Sequence, residues 1–113
     1  MRDFMHARTD QPLTLARLEG RLDCAGIERL RRQCDGISVP SDGGLLLDFS
    51  DVTFVDSMAM GCVAALARRV RGNGAELALF GVSERVRRSF EIAGLHQILD
   101  IVPDEASARQ VLR

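Results

Sequence analysis

Leu45-Leu46-Leu47-Asp48-Phe49-Ser50-Asp51-Val52-Thr53-Phe54-Val55-Asp56-Ser57-Met58-Ala59-Met60-Gly61 is the stretch whose reading decides the fold. Leu45 to Phe49 is apolar at nearly every position, the pattern of a strand buried on both faces and so central in a sheet. Asp48, Ser50 and Asp51 predict a short polar loop after it, before apolar Phe54-Val55. Asp56-Ser57 then precedes a helical pattern running to about Arg71. Met60, Val63, Ala64, Ala67 and Val70 lie on one face of that helix. Aspartate and serine are both favoured N-caps, because their side-chain oxygens accept the free N–H groups of a first turn. A helix N-terminus also holds a phosphate well, through its N–H donors and the positive end of its dipole. Ser57 therefore has two readings, a plain cap or a regulated hydroxyl.

Working outward, Gly72-Asn73-Gly74 stops this helix and Glu76 to Phe80 reads as a strand. Ser83 caps a helix with Val86, Phe90 and Ala93 on one face and Ile92 beside them, closed by Gly94. Ile98 to Val102 reads as a short edge strand, and Pro103 suits the first position of a last helix. Upstream, Leu13 to Leu18 reads as a strand buried on both sides and ended by Gly20. Asp23 caps a helix carrying Ile27, Leu30 and Cys34, with Gly36 as its stop. Residues around Phe4-Met5 make a candidate edge strand. Strands alternating with helices after an initial pair of strands give an α/β fold, one domain over residues 1–113, with right-handed crossovers between parallel strands.

Composition removes several function classes. With 46% apolar residues the chain buries a core and is not disordered. With 4% aromatics and no Trp or Tyr, it lacks a stacking platform for single-stranded nucleic acid. A net charge of −1 provides no global field toward DNA or anionic lipid. Cys24, Cys34 and Cys62 have neither zinc-site nor disulfide-framework spacing, and no signal peptide or membrane span is evident, so a reduced, cytoplasmic setting is expected. His6 and His96 stand alone, so no metal is expected. No cofactor motif is present: Gly72-Asn73-Gly74 lacks the Lys-Ser/Thr of a phosphate loop. Ser57 sits in no Gly-x-Ser-x-Gly elbow and has no evident His-Asp partners, so an enzyme is not expected. The arginines of 29–32, 68–71 and 85–88 alternate with Glu28, Glu84 and Glu91 and read as solvated helix faces.

Four segments, in order, carry a family resemblance. Leu18-Glu19-Gly20-Arg21-Leu22-Asp23 resembles the Gly-x-Leu-Asp signature of the STAS domain of bacterial anti-sigma factor antagonists. Leu47 to Ser57 resembles that family's central strand and phosphorylation motif. Arg71 to Leu77 resembles its helix-Gly-strand joint, and Phe90 to Leu95 its late helix ending in Gly-Leu. The resemblance implies a mixed β-sheet with helices packed mainly on one face. It implies an anti-sigma factor partner that is a serine kinase of the histidine-kinase-like ATPase type, phosphorylation of Ser57, and a phosphatase that reverses it. It places Asp23, Asp56, Ser57, Met58 and Ala59 on the partner-binding surface. The alternative within the family is a non-phosphorylated scaffold subunit of a transporter or signalling complex. Where the family usually reads Asp-Ser-Ser-Gly-Leu-Gly, this chain has Asp56-Ser57-Met58-Ala59-Met60-Gly61. Met58 adds a flexible apolar side chain suited to a partner contact, and Ala59 favours helix. Asp56 has two readings, orienting the Ser57 hydroxyl or a kinase-bound metal, or a plain loop carboxylate. Asp23 likewise is a cap or a partner contact.

Overall fold

A strand of twelve residues, β2 (Gly44–Val55), forms the spine of the molecule. In the computed structural model, which describes residues 12–112, it lies between β1 (Leu13–Leu22) and β3 (Glu76–Phe80), with β4 (Asp100–Val102) beyond β3. All neighbouring pairs are parallel. The candidate edge strand at Phe4-Met5 lies outside the described residues, so the sheet described is purely parallel.

Helices α1 (Ile27–Asp35), α2 (Ser57–Gly72) and α3 (Glu84–Ile92) connect successive strands. When adjacent parallel strands follow chain order, crossovers of one hand put their helices on one face. The packing agrees: Leu45, Leu47, Phe49, Leu77 and Leu79 pack with Leu30, Val63, Val70, Val86 and Phe90 in one core. The alternate residues Leu46, Ala78 and Phe80 face the other way, onto Ala108 and Leu112 of the C-terminal segment containing α4 (Glu105–Val111). Leu45, Leu46 and Leu47 are each fully buried, contributing about 2 kcal/mol apiece. The expectation of a central β2 with helices mainly on one face holds.

Four local expectations are corrected. The polar loop at Asp48–Asp51 is absent; β2 runs through it because β1 continues to Leu22 and supplies a pairing partner up to Val55. Asp48 is accommodated in the strand by accepting the Ser50 N–H (2.8 Å) and the Arg17 Nε–H (3.2 Å). β1 does not stop at Gly20. Register shifts on either side of Glu19-Gly20 absorb the mismatch, and Gly20 takes φ 81°, a conformation natural to glycine. Nor is β1 buried on both sides: Leu15 is 52% exposed, because α4 packs over β2 and β3. Finally, Asp104 caps α4, accepting the Ser107 N–H at 2.8 Å, so Pro103 stands one residue ahead of the cap. In α3, Val86 and Phe90 are buried as expected, while Ile92 is 83% exposed.

Candidate functional site at the start of helix α2

The C-terminal ends of β1 and β2 lie side by side, Leu22 opposite Val55. The Asp56 N–H donates to the Leu22 carbonyl at 3.0 Å, so the two exits leave the sheet locked together. Asp23 follows β1 and Asp56 follows β2. Each is an N-cap, which brings the starts of two helical segments to one edge.

Asp56 does the capping at α2. Its Oδ1 accepts the Ala59 N–H at 2.9 Å and its Oδ2 accepts the Cys24 N–H at 2.8 Å. One carboxylate thus caps its own helix and ties down the neighbouring turn. Ser57 is the first helical residue rather than the cap. It is exposed, and among the described residues its hydroxyl makes no hydrogen bond. The reading of Ser57 as a plain cap is therefore corrected, and Asp56 is more than a loop carboxylate. The N–H groups of Ser57 and Met58 also have no partner among the described residues, as the first donors of a helix do not unless a ligand or water supplies one.

Asp23 caps the 3-10 turn Cys24–Gly26, accepting the Ala25 N–H at 3.2 Å, and α1 begins only at Ile27. Its other oxygen lies 3.5 Å from Arg21 Nε. Met58 is 49% exposed, while Met60 packs against the core, the division expected for them. Ala59 is fully buried, so its side chain offers nothing to a partner surface; its N–H secures the loop through Asp56. Asp23, Ser57 and Met58 are thus brought to one edge with Asp56 beneath them, and Ala59 lies under it.

Two surroundings of this edge were not legible as part of the site. Beside Met58, a groove of about 470 Å³ opens between α2 and α1, lined by Gly61, Cys62, Cys34 and Arg69 among others. Burial, then the neighbouring Cys62, push the Cys34 thiol up to about 11. Arg69 is exposed but also has a structural contact: it donates to the Cys34 and Ile37 carbonyls at 2.7 and 3.1 Å, at and just beyond the C-terminal end of α1. On the other side, two guanidinium groups approach the Phe54 ring, with Arg21 Cζ 4.3 Å and Arg85 Cζ 5.7 Å from the ring centroid. The Arg-rich run of α3 otherwise behaves as expected, Arg87 and Arg88 pairing with Glu84 and Glu91. Among the described residues there is no group of three or more His, Cys, Asp or Glu side chains placed to hold a metal, and no helix long and apolar enough to cross a membrane.

This arrangement has relatives. The anti-sigma-B factor antagonist of Listeria monocytogenes is 30% identical over 82 residues, 73% of this chain and 72% of the relative. Among solved structures, the anti-sigma factor antagonist SpoIIAA in its unphosphorylated form superposes with a TM-score of 0.66 at 23% identity, covering 89% of each chain. A sulfate transporter family protein from Wolinella succinogenes gives a TM-score of 0.73 at 19% identity, covering 90% of this chain and 89% of the other. At those identities the two structures speak for the fold. The STAS domain profile matches residues 5–108, nearly the whole length, and with it the sheet order, the helix layer and the Asp56-Ser57 helix start come together: the chain belongs to the STAS domain family.

Proposed function

We propose that this chain is an anti-sigma factor antagonist. In its unphosphorylated form it binds an anti-sigma factor through the edge formed by Asp23, Asp56, Ser57 and Met58, and phosphorylation of Ser57 releases it. The partner is a serine kinase of the histidine-kinase-like ATPase type, and a phosphatase restores the hydroxyl. The protein acts in the cytoplasm, by binding rather than catalysis. The observation that carries this reading is the division of labour at α2: Asp56 caps the helix, leaving an exposed Ser57 hydroxyl with no structural duty among the described residues.

Phosphorylation would add about −1.5 to −2 charges at that hydroxyl. The N-terminal end of a 16-residue helix accommodates such charge, so the domain need not refold. A partner surface bearing carboxylates does not accommodate it. Repulsion and the cost of desolvating the phosphate, together about 3 kcal/mol, weaken binding roughly a hundredfold. Ala59, buried and helix-favouring, keeps the acceptor on a rigid first turn, and Met58 gives the partner an apolar contact beside it.

The second reading is a non-phosphorylated scaffold subunit of a transporter or signalling complex, favoured by Met58-Ala59 where the family motif has Ser-Gly. Incubating the chain with its ATP-binding partner and ATP, then locating phosphate by mass spectrometry, separates the two. Phosphate on Ser57 supports the switch; an unmodified Ser57 in a stable complex supports the scaffold.

A further inference from the structure

The Arg21–Phe54–Arg85 arrangement lies directly beside the Ser57 edge. Arg21 pairs in register with Phe54, one position before the Leu22–Val55 pair that leads into Asp56. The Phe54 ring is half-buried and does not join either core cluster. Two guanidinium groups lie within cation–π range of it instead. Stacking on an aromatic face holds a guanidinium flat and leaves its N–H edge available for a bidentate carboxylate. Such an arginine has already lost much of the side-chain freedom that binding would otherwise cost.

Charge accounting separates these arginines from the paired ones; exposed Arg32 and Arg68 also lack a carboxylate among the described residues, but neither stacks on Phe54. Arg31, Arg71, Arg87, Arg88 and Arg109 are each matched to a glutamate. Arg85 and Arg29 have no carboxylate in ion-pair range among the described residues. Among the described residues Arg21 meets only Asp23, at 3.5 Å through Nε. Arg21 and Arg29 also line a polar hollow of about 380 Å³ between the end of β1 and α1, with Glu19 on its wall. Arg29, Arg21, Phe54 and Arg85 therefore form a cationic strip passing alongside the Asp23–Ser57 edge.

We propose that this strip is a docking surface for an acidic segment of the protein partner, whose carboxylates pair with Arg21 and Arg85 while its backbone lies against Phe54. It rests on the reading of this edge as a partner surface and adds the partner's chemistry. Glu19 and Asp23 punctuate the strip, which suits individually placed carboxylates better than a continuous phosphate backbone, and the net charge of −1 gives nucleic acid no long-range attraction. The same partner carboxylates supply the repulsion that a phosphate on Ser57 would meet.

The test is an NMR titration of the unphosphorylated full chain with a synthetic oligoglutamate peptide, and in parallel with an oligothymidylate of equal charge at the same ionic strength. The expected result is saturable shifts at Arg21, Phe54 and Arg85 with the peptide. Binding should weaken about tenfold in the Arg21→Gln/Arg85→Gln double variant, and stay unchanged in Arg68→Gln. Absence of saturable shifts at those three residues, or an equal loss in Arg68→Gln, overturns the proposal. Tighter binding of the oligothymidylate at the same residues overturns it in favour of nucleic acid. No arm needs Ser57 to be modified, so failure here leaves the Ser57 switch standing, and failure of the switch leaves the strip standing.

Discussion

The Asp56 carboxylate accepts the backbone N–H of Cys24 at 2.8 Å, joining two loops 32 residues apart in the chain. The same carboxylate caps α2 through Ala59. Removing it should cost both functions. Asp56→Ala is expected to destabilise the fold by about 2 kcal/mol, because a cap and a charge-assisted tie are lost together. Ser57→Ala should change stability by less than about 0.5 kcal/mol, since an exposed non-capping serine contributes little. Urea unfolding of the two variants checks this; a loss at Ser57 comparable to that at Asp56 would restore serine to the capping role.

Asp48 makes the fold acid-sensitive. Burial acts to raise its carboxyl, but hydrogen bonds from Ser50 and the Arg17 guanidinium outweigh burial and hold it below its usual value. A carboxyl with a folded pKa below its unfolded one stabilises the fold above the unfolded value and loses that contribution as pH falls through the folded one. Stability should therefore fall more steeply below pH ~4 in the native chain than in Asp48→Asn. Unfolding midpoints measured from neutral pH down to pH ~3 give the comparison, and parallel curves would contradict it.

Two glycines should respond in opposite directions. Gly81 has φ 71°, and a Cβ there would sit 2.3 Å from Ser50 Oγ, so Gly81→Ala should cost about 2 kcal/mol or more. Gly61 lies inside α2 with open space around it, so Gly61→Ala should add about 0.5–1 kcal/mol. Because Gly61 lines the groove beside Met58, the stabilised variant also reports whether a partner packs there: affinity falls if it does.

The three thiols should differ in reactivity. Cys24 is exposed, Cys62 half-buried and Cys34 buried, with its thiol pushed up to about 11 by burial and by Cys62. Thiolates are the reactive form, so alkylation at neutral pH should label Cys24 first and leave Cys34 protected until the chain unfolds. Peptide mass spectrometry over a time course reads the order, and early labelling of Cys34 would contradict the packing between α1 and α2.

Much of this architecture is legible in the residues, for identifiable reasons. Consecutive leucines at 45–47 mark a strand buried on both faces, and the period of Val63, Ala67 and Val70 marks the face of α2. What local pattern does not reveal is where a strand ends when polar residues interrupt it. Asp48, Ser50 and Asp51 read as a loop because the pairing that keeps them in β2 comes from β1, far away in sequence. The helix start at Asp56-Ser57 is visible, but both residues are good caps, and only the positions of the Ala59 and Cys24 N–H groups decide that Asp56 serves. The arginine cluster at Phe54 is invisible for the same reason, being made by arginines from β1 and α3 that meet only in the fold.

The most direct measurement is the affinity of the anti-sigma partner, by isothermal titration, for three forms of the chain: unmodified, phosphorylated at Ser57, and Ser57→Ala. A switch at Ser57 predicts that phosphorylation weakens binding about a hundredfold while Ser57→Ala binds as the unmodified chain does. Equal affinity of the phosphorylated and unmodified forms would contradict it.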